Sequence, residues 1–335
     1  MGFRLSILDQ SPVADGKSGY EALQQTIALA EKAEEWGYHR FWVSEHHDTK
    51  LLAGVSPEVL VSHLLARTER IRVGSGGVML QHYSAYKVAE NFQLLATLAP
   101  NRVDLGVGKA PGGLPLSTKA LQYGRGAGTV DFAEQLTLLK QFVDDAVPAD
   151  HVLAGVHVDP EPPTKPEIFL LGASAASAEL AAKLGVNFCF AKFITSDETV
   201  LREAVTAFRT GQRNGEFIIA IPVLAADTES EAQRLAGEQK VVRVTLATGV
   251  SVTVQTVAQA EEFARQAGET DFTIEEREAN IIAGTQQQVK AELVRLRATF
   301  DVDEFVIHTP VARQDARFRS VQLISEAVLT ADVVR

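Results

Sequence analysis

The chain has 335 residues, 46% hydrophobic and 22% charged, with 43 acidic against 32 basic side chains and a formal net charge of −11. That balance, without any block of basic residues, excludes a nucleic-acid binder, whose hold on phosphates comes from clustered Lys and Arg. No apolar run approaches the ~18 residues that a membrane span needs. Cys189 is the single cysteine, so no internal disulfide forms, as in a reducing compartment. No basic and apolar leader is read at the N-terminus. The expectation is a soluble, cytoplasmic protein.

FRLSIL (3–8) reads as a short buried strand. Between Tyr20 and Trp36, Leu23, Ile27, Ala30 and Ala33 recur at three- and four-residue spacing, which predicts an amphipathic helix stopped by Gly37. RFWVSE (40–45) is the second strand and runs into His46 and His47. Ser56, Pro57 and Glu58 then supply an N-cap, a first-turn proline and a dipole-complementing acid for a helix to about Arg67. IRVGSGGVML (71–80) is a glycine-interrupted strand, 86–98 a helix and RVDLGVG (102–108) the fourth strand. Residues 110–128, rich in glycine, read as a long mobile loop. A helix over about 132–143 and a proline-rich stretch follow.

EIFLLGAS (167–174) turns into a helix at 175–184. VNFCFA (186–191) is the sixth strand, with a helix at about 197–210, and FIIAIPVL (217–224) is the seventh. Thr228 and Glu231 predict a capping box for a long helix to about Ala247, and 251–284 reads as a mainly helical insertion. A helix capped by Thr285 and Gln288, an eighth strand EFVIH (304–308) and a closing helix at 315–330 end the pattern. Eight strands, each followed by a helix, predict an α/β fold: a single (β/α)8 TIM barrel over 1–335, with insertions after strands 4 and 7. A doubly wound sheet would show a glycine fingerprint after its first strand, where Asp9-Gln10-Ser11-Pro12 stands instead.

Chemistry in such a barrel sits past the C-terminal strand ends. Four places qualify. Glu45-His46-His47 follows strand 2; one imidazole faces the mouth and the other packs sideways, and a histidine there bonds a ligand or moves a proton near neutral pH. Gly74 to Gly77 interrupt strand 3, as at a bulge or a close ligand approach. Gly106 to Gly113 carry Lys109 past strand 4, which suits an anion. Ala173, Ser174 and Ser177 flank the first turn of a helix, where free N–H groups favour a phosphate. Each place also has a plain structural explanation: a loop-bonded histidine, a bulge, a cap. Lys109 and Ser174 together point to a phosphate-bearing cofactor. No HExxH or Cys/His spacing supports a metal site.

The segments LDQSPV (8–13), FWVSEHHD (41–48), IRVGSGGVML, KVAENFQLLATLAPNRVDLGVGKAPG (87–112), FLLGASAASAELAAKLG (169–185), ANIIAGTQQQVKAELVRL (279–296) and DEFVIHTP (303–310) stand in this order. Jointly they resemble the bacterial luciferase-like flavin monooxygenase family over nearly the whole barrel. The resemblance implies a small organic substrate, an aldehyde or similar, oxygenated with O2 and reduced FMN through a C4a-peroxyflavin, the FMNH2 coming from a separate flavin reductase. It implies that His46, beside His47, stabilises the flavin–oxygen adduct. Glu45, Gly76, Gly77, Lys109, Ala173, Ser174 and Ser177 fall on the cofactor side, Gly76-Gly77 matching a non-proline cis peptide beneath the isoalloxazine ring.

Departures stand beside the matches. Lys109 replaces an arginine of many members, Ala173 a polar or acidic residue, and FAKFI (190–194) a histidine-bearing segment; the loop after strand 4 is shorter. The alternatives are an F420-dependent hydride-transfer oxidoreductase of the same superfamily and a flavin-binding protein without catalysis. The family habit and an apolar helix around 59–65 imply a homodimer.

Overall fold

The computed structural model describes residues 2–124, 131–211 and 215–329. Strands and helices alternate: β1 (Arg4–Asp9), α1 (Gly19–Glu35), β2 (Arg40–Val43), α2 (Pro57–Arg67), β3 (Arg72–Met79), α3 (Ala85–Leu98) and β4 (Val103–Gly108). After β4 come α4 (Pro115–Leu121) and α5 (Phe132–Asp144), then β5 (Glu167–Gly172), α6 (Ala175–Leu184), β6 (Asn187–Ala191), α7 (Glu198–Gly211), β7 (Phe217–Ala225) and α8 (Glu229–Gly237). An insertion holds β8 (Lys240–Leu246), β9 (Ser251–Val254), α9 (Val257–Ala267), β10 (Phe272–Glu278) and β11 (Ile282–Gly284). The chain then runs through α10 (Gln286–Phe300), β12 (Glu304–His308) and α11 (Gln314–Val328). β1 to β7 pair in sequence, all parallel, and β12 joins β7 back to β1, closing an eight-stranded barrel.

Local chemistry explains the elements. Ser18 and Glu21 form a reciprocal capping box at α1, whose buried stripe is Ala22, Thr26, Leu29, Ala30 and Ala33. That stripe includes the predicted Ala30 and Ala33, with Ile27 packed at its edge. Pro57 opens α2 as expected, although Ser56 makes no side-chain cap bond. Thr285 and Gln288 form the second reciprocal box, at α10.

Two layers fill the barrel from its N-terminal end upward. The lower one is ionic. Arg40, 1% exposed, donates to Glu304 (2.7 Å), Glu167 (2.9 Å), Asp104 (3.2 Å) and Glu216 (3.1 Å). Arg4 and Arg72 bracket the same acids, at 2.7 Å from Glu216 and 3.0 Å from Glu167. A buried guanidinium needs this many acceptors, because its desolvation is offset only by full pairing. Above lies an apolar layer of Leu8, Trp42, Phe169, Cys189, Ile218, Ala220 and Val306. With the lower end plugged, ligand access is left to the C-terminal mouth.

The segment after β7 departs from the sequence reading. The helix opened by Thr228, whose Oγ1 accepts the Glu231 N–H, ends at Gly237 instead of Ala247. KVVRVTL (240–246) is a strand, because it is rich in β-branched residues and its alternate residues Val242, Val244 and Leu246 are buried together. The stretch 251–284 is correspondingly not mainly helical. β8 pairs antiparallel with β9 and β10, while α9 covers the sheet with Ala260, Phe263 and Ala264. Within 110–128, Pro115–Leu121 is helical; 125–128 lie outside the described residues. No helix among the described residues is long and apolar enough to cross a membrane.

Candidate active site

β2 delivers Ser44, Glu45, His46 and His47 to the mouth. Glu45 is fully buried and accepts the Met79 N–H at 2.9 Å and the Tyr83 hydroxyl at 2.6 Å. His47 Nε2 lies 2.6 Å from the other side of the Glu45 Oε1 lone-pair shell, so it carries the proton toward the carboxylate. The His47 backbone N–H donates to the Gly112 carbonyl at 2.8 Å, tying this residue to the loop that follows β4. Glu45 and His47 thus engage one another and the neighbouring strand end.

His46 takes the other direction. Its Nδ1 sits 3.1 Å from Ser44 Oγ, and its Nε2 has no hydrogen-bond partner among the described residues. Burial pushes its pKa down to about 4, helped by His308 and His47 and opposed by Glu45. The ring is therefore neutral at pH 7, with one donor and one acceptor. His308, the last residue of β12, is likewise driven to about 4 by burial, against the pull of the Leu8 carbonyl and Asp9.

Beside them the strands supply a bare floor. The Gly76–Gly77 peptide is cis, and the β3–β4 register skips Gly77. A Cβ on Gly77 would stand 2.6 Å from the Gly106 carbonyl oxygen, and one on Gly76 would stand 2.7 Å from Leu8 Cδ1. Only glycine lets the backbones approach so closely.

The ends of β4 and β5 form a polar corner. Their register pairs Val107 with Leu170, which brings Lys109 and the Ala173–Ser174 turn to neighbouring strand ends. Ser174 caps α6, accepting the Ser177 N–H at 3.3 Å, and its hydroxyl lies 3.1 Å from that of Ser177. Ser177 leans over Gly172, where a Cβ would meet its own at 2.7 Å. Lys109 is exposed and has no ion-pair or hydrogen-bond partner among the described residues. An uncommitted cation, two hydroxyls and a helix N-terminus fit a phosphate.

His46, Gly76, Gly77, Lys109, Ala173, Ser174 and Ser177 therefore all lie at or beneath the strand ends of one mouth. Glu45, taken on the cofactor side, is committed to an internal network. Sequence reasoning missed His308 and Tyr83. The signal for His308 was available, since a histidine closing a barrel strand is what singled out His46. No group of three His, Cys, Asp or Glu side chains among the described residues is placed to hold a metal ion.

A closed (β/α)8 barrel with a polar corner of Lys109, Ser174 and Ser177 and a neutral histidine at its mouth places the chain in the TIM-barrel class. The family model for luciferase-like monooxygenases matches residues 1–304, and the chain belongs to that family. Over 331 residues, 98% of this chain and 99% of the relative, it is 48% identical to the N-acetyl-S-alkylcysteine monooxygenase of Bacillus subtilis. It is a luciferase-like monooxygenase. The structure is similar to that of apo-MsnO8, with TM-score 0.78, 31% identity and 98% coverage of each chain. The same fold recurs at TM-score 0.70 in the FMN complex of the oxygenating constituent of 3,6-diketocamphane monooxygenase from Pseudomonas putida, 16% identical with 97% of each chain covered. At TM-score 0.66 it recurs in an F420-dependent secondary alcohol dehydrogenase, 15% identical over 98% of this chain and 99% of that one.

Proposed function

We propose that this enzyme takes reduced FMN from a separate reductase and uses it with O2 to oxygenate a small thioether of the N-acyl-S-alkylcysteine class. The observation that carries the reading is the neutral, outward-facing Nε2 of His46 at the same mouth as the Lys109–Ser174–Ser177 corner. The substrate class follows the relative with near-complete coverage, and replaces the aldehyde as the first compound to test.

Lys109, Ser174, Ser177 and the first N–H groups of α6 would hold the FMN phosphate, and the glycines at 76 and 77 would lie against the ring. When bound, the reduced flavin supplies two electrons to O2, so that one oxygen atom enters the substrate and the other leaves as water. His46 holds a hydrogen bond at its Nε2 without bringing charge, and Ser44 fixes the ring through Nδ1. Glu45 holds His47 and the Met79 backbone, and through them the wall around His46. The apolar layer under the floor excludes water from below, which protects reactive oxygen species from wasteful decay.

Anaerobic mixing of the protein with reduced FMN, then with O2, in a stopped-flow spectrometer tests the reading. The expected result is a transient absorbance unlike reduced or oxidised FMN, outliving reoxidation in buffer and consumed by an N-acetyl-S-alkylcysteine. Reoxidation at the buffer rate, with tight binding of F420 instead, would overturn it in favour of hydride transfer. A homodimer is part of the proposal: Val55 and Val59 around α2, with Leu94 and Leu98 on α3, leave an apolar face exposed.

A further inference from the structure

The β6–β7–β12 side of the mouth carries two features outside the proposed cofactor site. His308 Nδ1 is buried and makes no hydrogen bond. The Phe193 ring, from the turn after β6, meets the His308 ring edge-on at a centroid distance of 5.9 Å. Since β7 lies between β6 and β12, this turn reaches across β7 to the end of β12. It is held there by the Lys192 N–H on the Ala220 carbonyl (2.8 Å) and the Ile194 N–H on the Ala191 carbonyl (3.0 Å).

Native interiors leave few polar atoms unpaired, and an exception at a ligand-binding rim invites a ligand as its partner. Phe193 and Ile194 are also 39% and 67% exposed, two consecutive large apolar side chains at the rim where barrel enzymes bind ligands. An apolar wall beside one uncharged hydrogen-bonding nitrogen suits a ligand with an apolar arm and a neutral polar group. The place is within electrostatic reach of His46, hence at the reacting end of the mouth.

We infer that this side is the substrate subsite: Phe193 and Ile194 receive the S-alkyl group, and His308 Nδ1 hydrogen-bonds the amide of an N-acyl-S-alkylcysteine. The assignment rests on the proposed substrate class and adds the residues that read the two ends of the molecule.

Calorimetric titration of the protein, saturated with oxidised FMN, with N-acetyl-S-methyl-, S-propyl- and S-benzylcysteine tests it. Wild-type affinity rises about fourfold per added methylene between the methyl and propyl compounds. Phe193→Ala flattens that dependence, and His308→Leu weakens all three compounds by about tenfold. His308→Asn, which keeps a polar atom near the Nδ1 position, recovers part of the affinity. Fluorescence titration gives the same FMN affinity for every variant. Binding by wild type with an unchanged chain-length dependence in Phe193→Ala, or full affinity in His308→Leu, overturns the subsite alone. Binding of FMN but of none of the thioethers by wild type overturns the substrate class, and the subsite with it.

Discussion

Mild acid is the perturbation that interrogates the mouth most directly. In the folded chain His46 and His308 take up a proton only at about pH 4, against an ordinary value of 6.5, chiefly because burial disfavours the charged ring. Between these values the unfolded chain binds protons that the folded chain refuses. Stability is therefore complete above about pH 6.5 and declines as the pH falls toward 4. At about 1.4 kcal/mol per pKa unit, each ring contributes at most roughly 3 kcal/mol. Relaxation of the buried sites and water entry on protonation offset part of this, so about 2 kcal/mol apiece is the working figure.

Urea unfolding at a series of pH values, on wild type, His46→Asn, His308→Asn and the double variant, reads this. Half-buried His39 has its pKa lowered by desolvation and contributes with the same sign, while His157, raised by its bond to Asp145, acts oppositely. Comparison of variants, and not the wild-type slope alone, therefore decides. Lowered carboxylates such as Glu21 and Glu262, both at about 2, lose their contribution only as the pH falls below their ordinary 4.5. The interval between about pH 5 and 6.5 thus belongs to the histidines. Each single variant should lose part of the acid sensitivity there, and the double variant most of it. A double variant as acid-sensitive as wild type over that interval would refute the electrostatic argument.

Three further outcomes are expected. Glu45→Ala strands the Met79 N–H, the Tyr83 hydroxyl and His47, and should cost roughly 3–5 kcal/mol in urea unfolding, whereas Glu45→Gln, which keeps one acceptor oxygen, should cost less than half as much. Lys109→Ala should weaken FMN by about tenfold and reduce the salt dependence of binding, with no change in the unfolding midpoint, because the ammonium has no partner among the described residues. Gly106→Ala forces a methyl group onto the Ser75 carbonyl of the adjacent strand and should lower stability by at least ~2 kcal/mol, measured by the same unfolding assay.

The barrel was legible in the sequence because its strands are short and apolar, and because Ser174, Thr228 and Thr285 mark helix starts by real caps. The insertion was not, for a physical reason. β8 to β10 form a small sheet with one face open to water, and FTIEERE (272–278) is polar at nearly every position, so its alternation is weak. KVVRVTL, following a capped helix, reads as a continuation until its β-branched residues are weighed. In the site, adjacency to His46 drew Glu45 toward the cofactor. Its actual partners, Met79 and Tyr83, come from 34 and 38 residues further along, a distance no local pattern spans.

Trp42 connects the two ends of the barrel. Its Nε1 donates to Asp104 at 2.9 Å, and that same carboxylate is held by Arg40 and Arg72 in the ionic layer. Its indole packs edge-on against Phe169 at 4.9 Å, and Arg40 lies 4.8 Å over the Phe169 ring. The top of Trp42 lies directly under Gly76, where a Cβ would come within 3.1 Å of the Trp42 Cβ. The height of the glycine floor is thus fixed from below by a contiguous stack of Arg40, Asp104 and Trp42. Close-packed interiors transmit small shifts, so the depth of the ligand site depends on charges at the closed end of the barrel. The rim, by contrast, is built from separate loop residues such as Lys109 and Phe193, which can change without disturbing that stack. This division lets one scaffold keep its glycine floor constant while the rim above it varies.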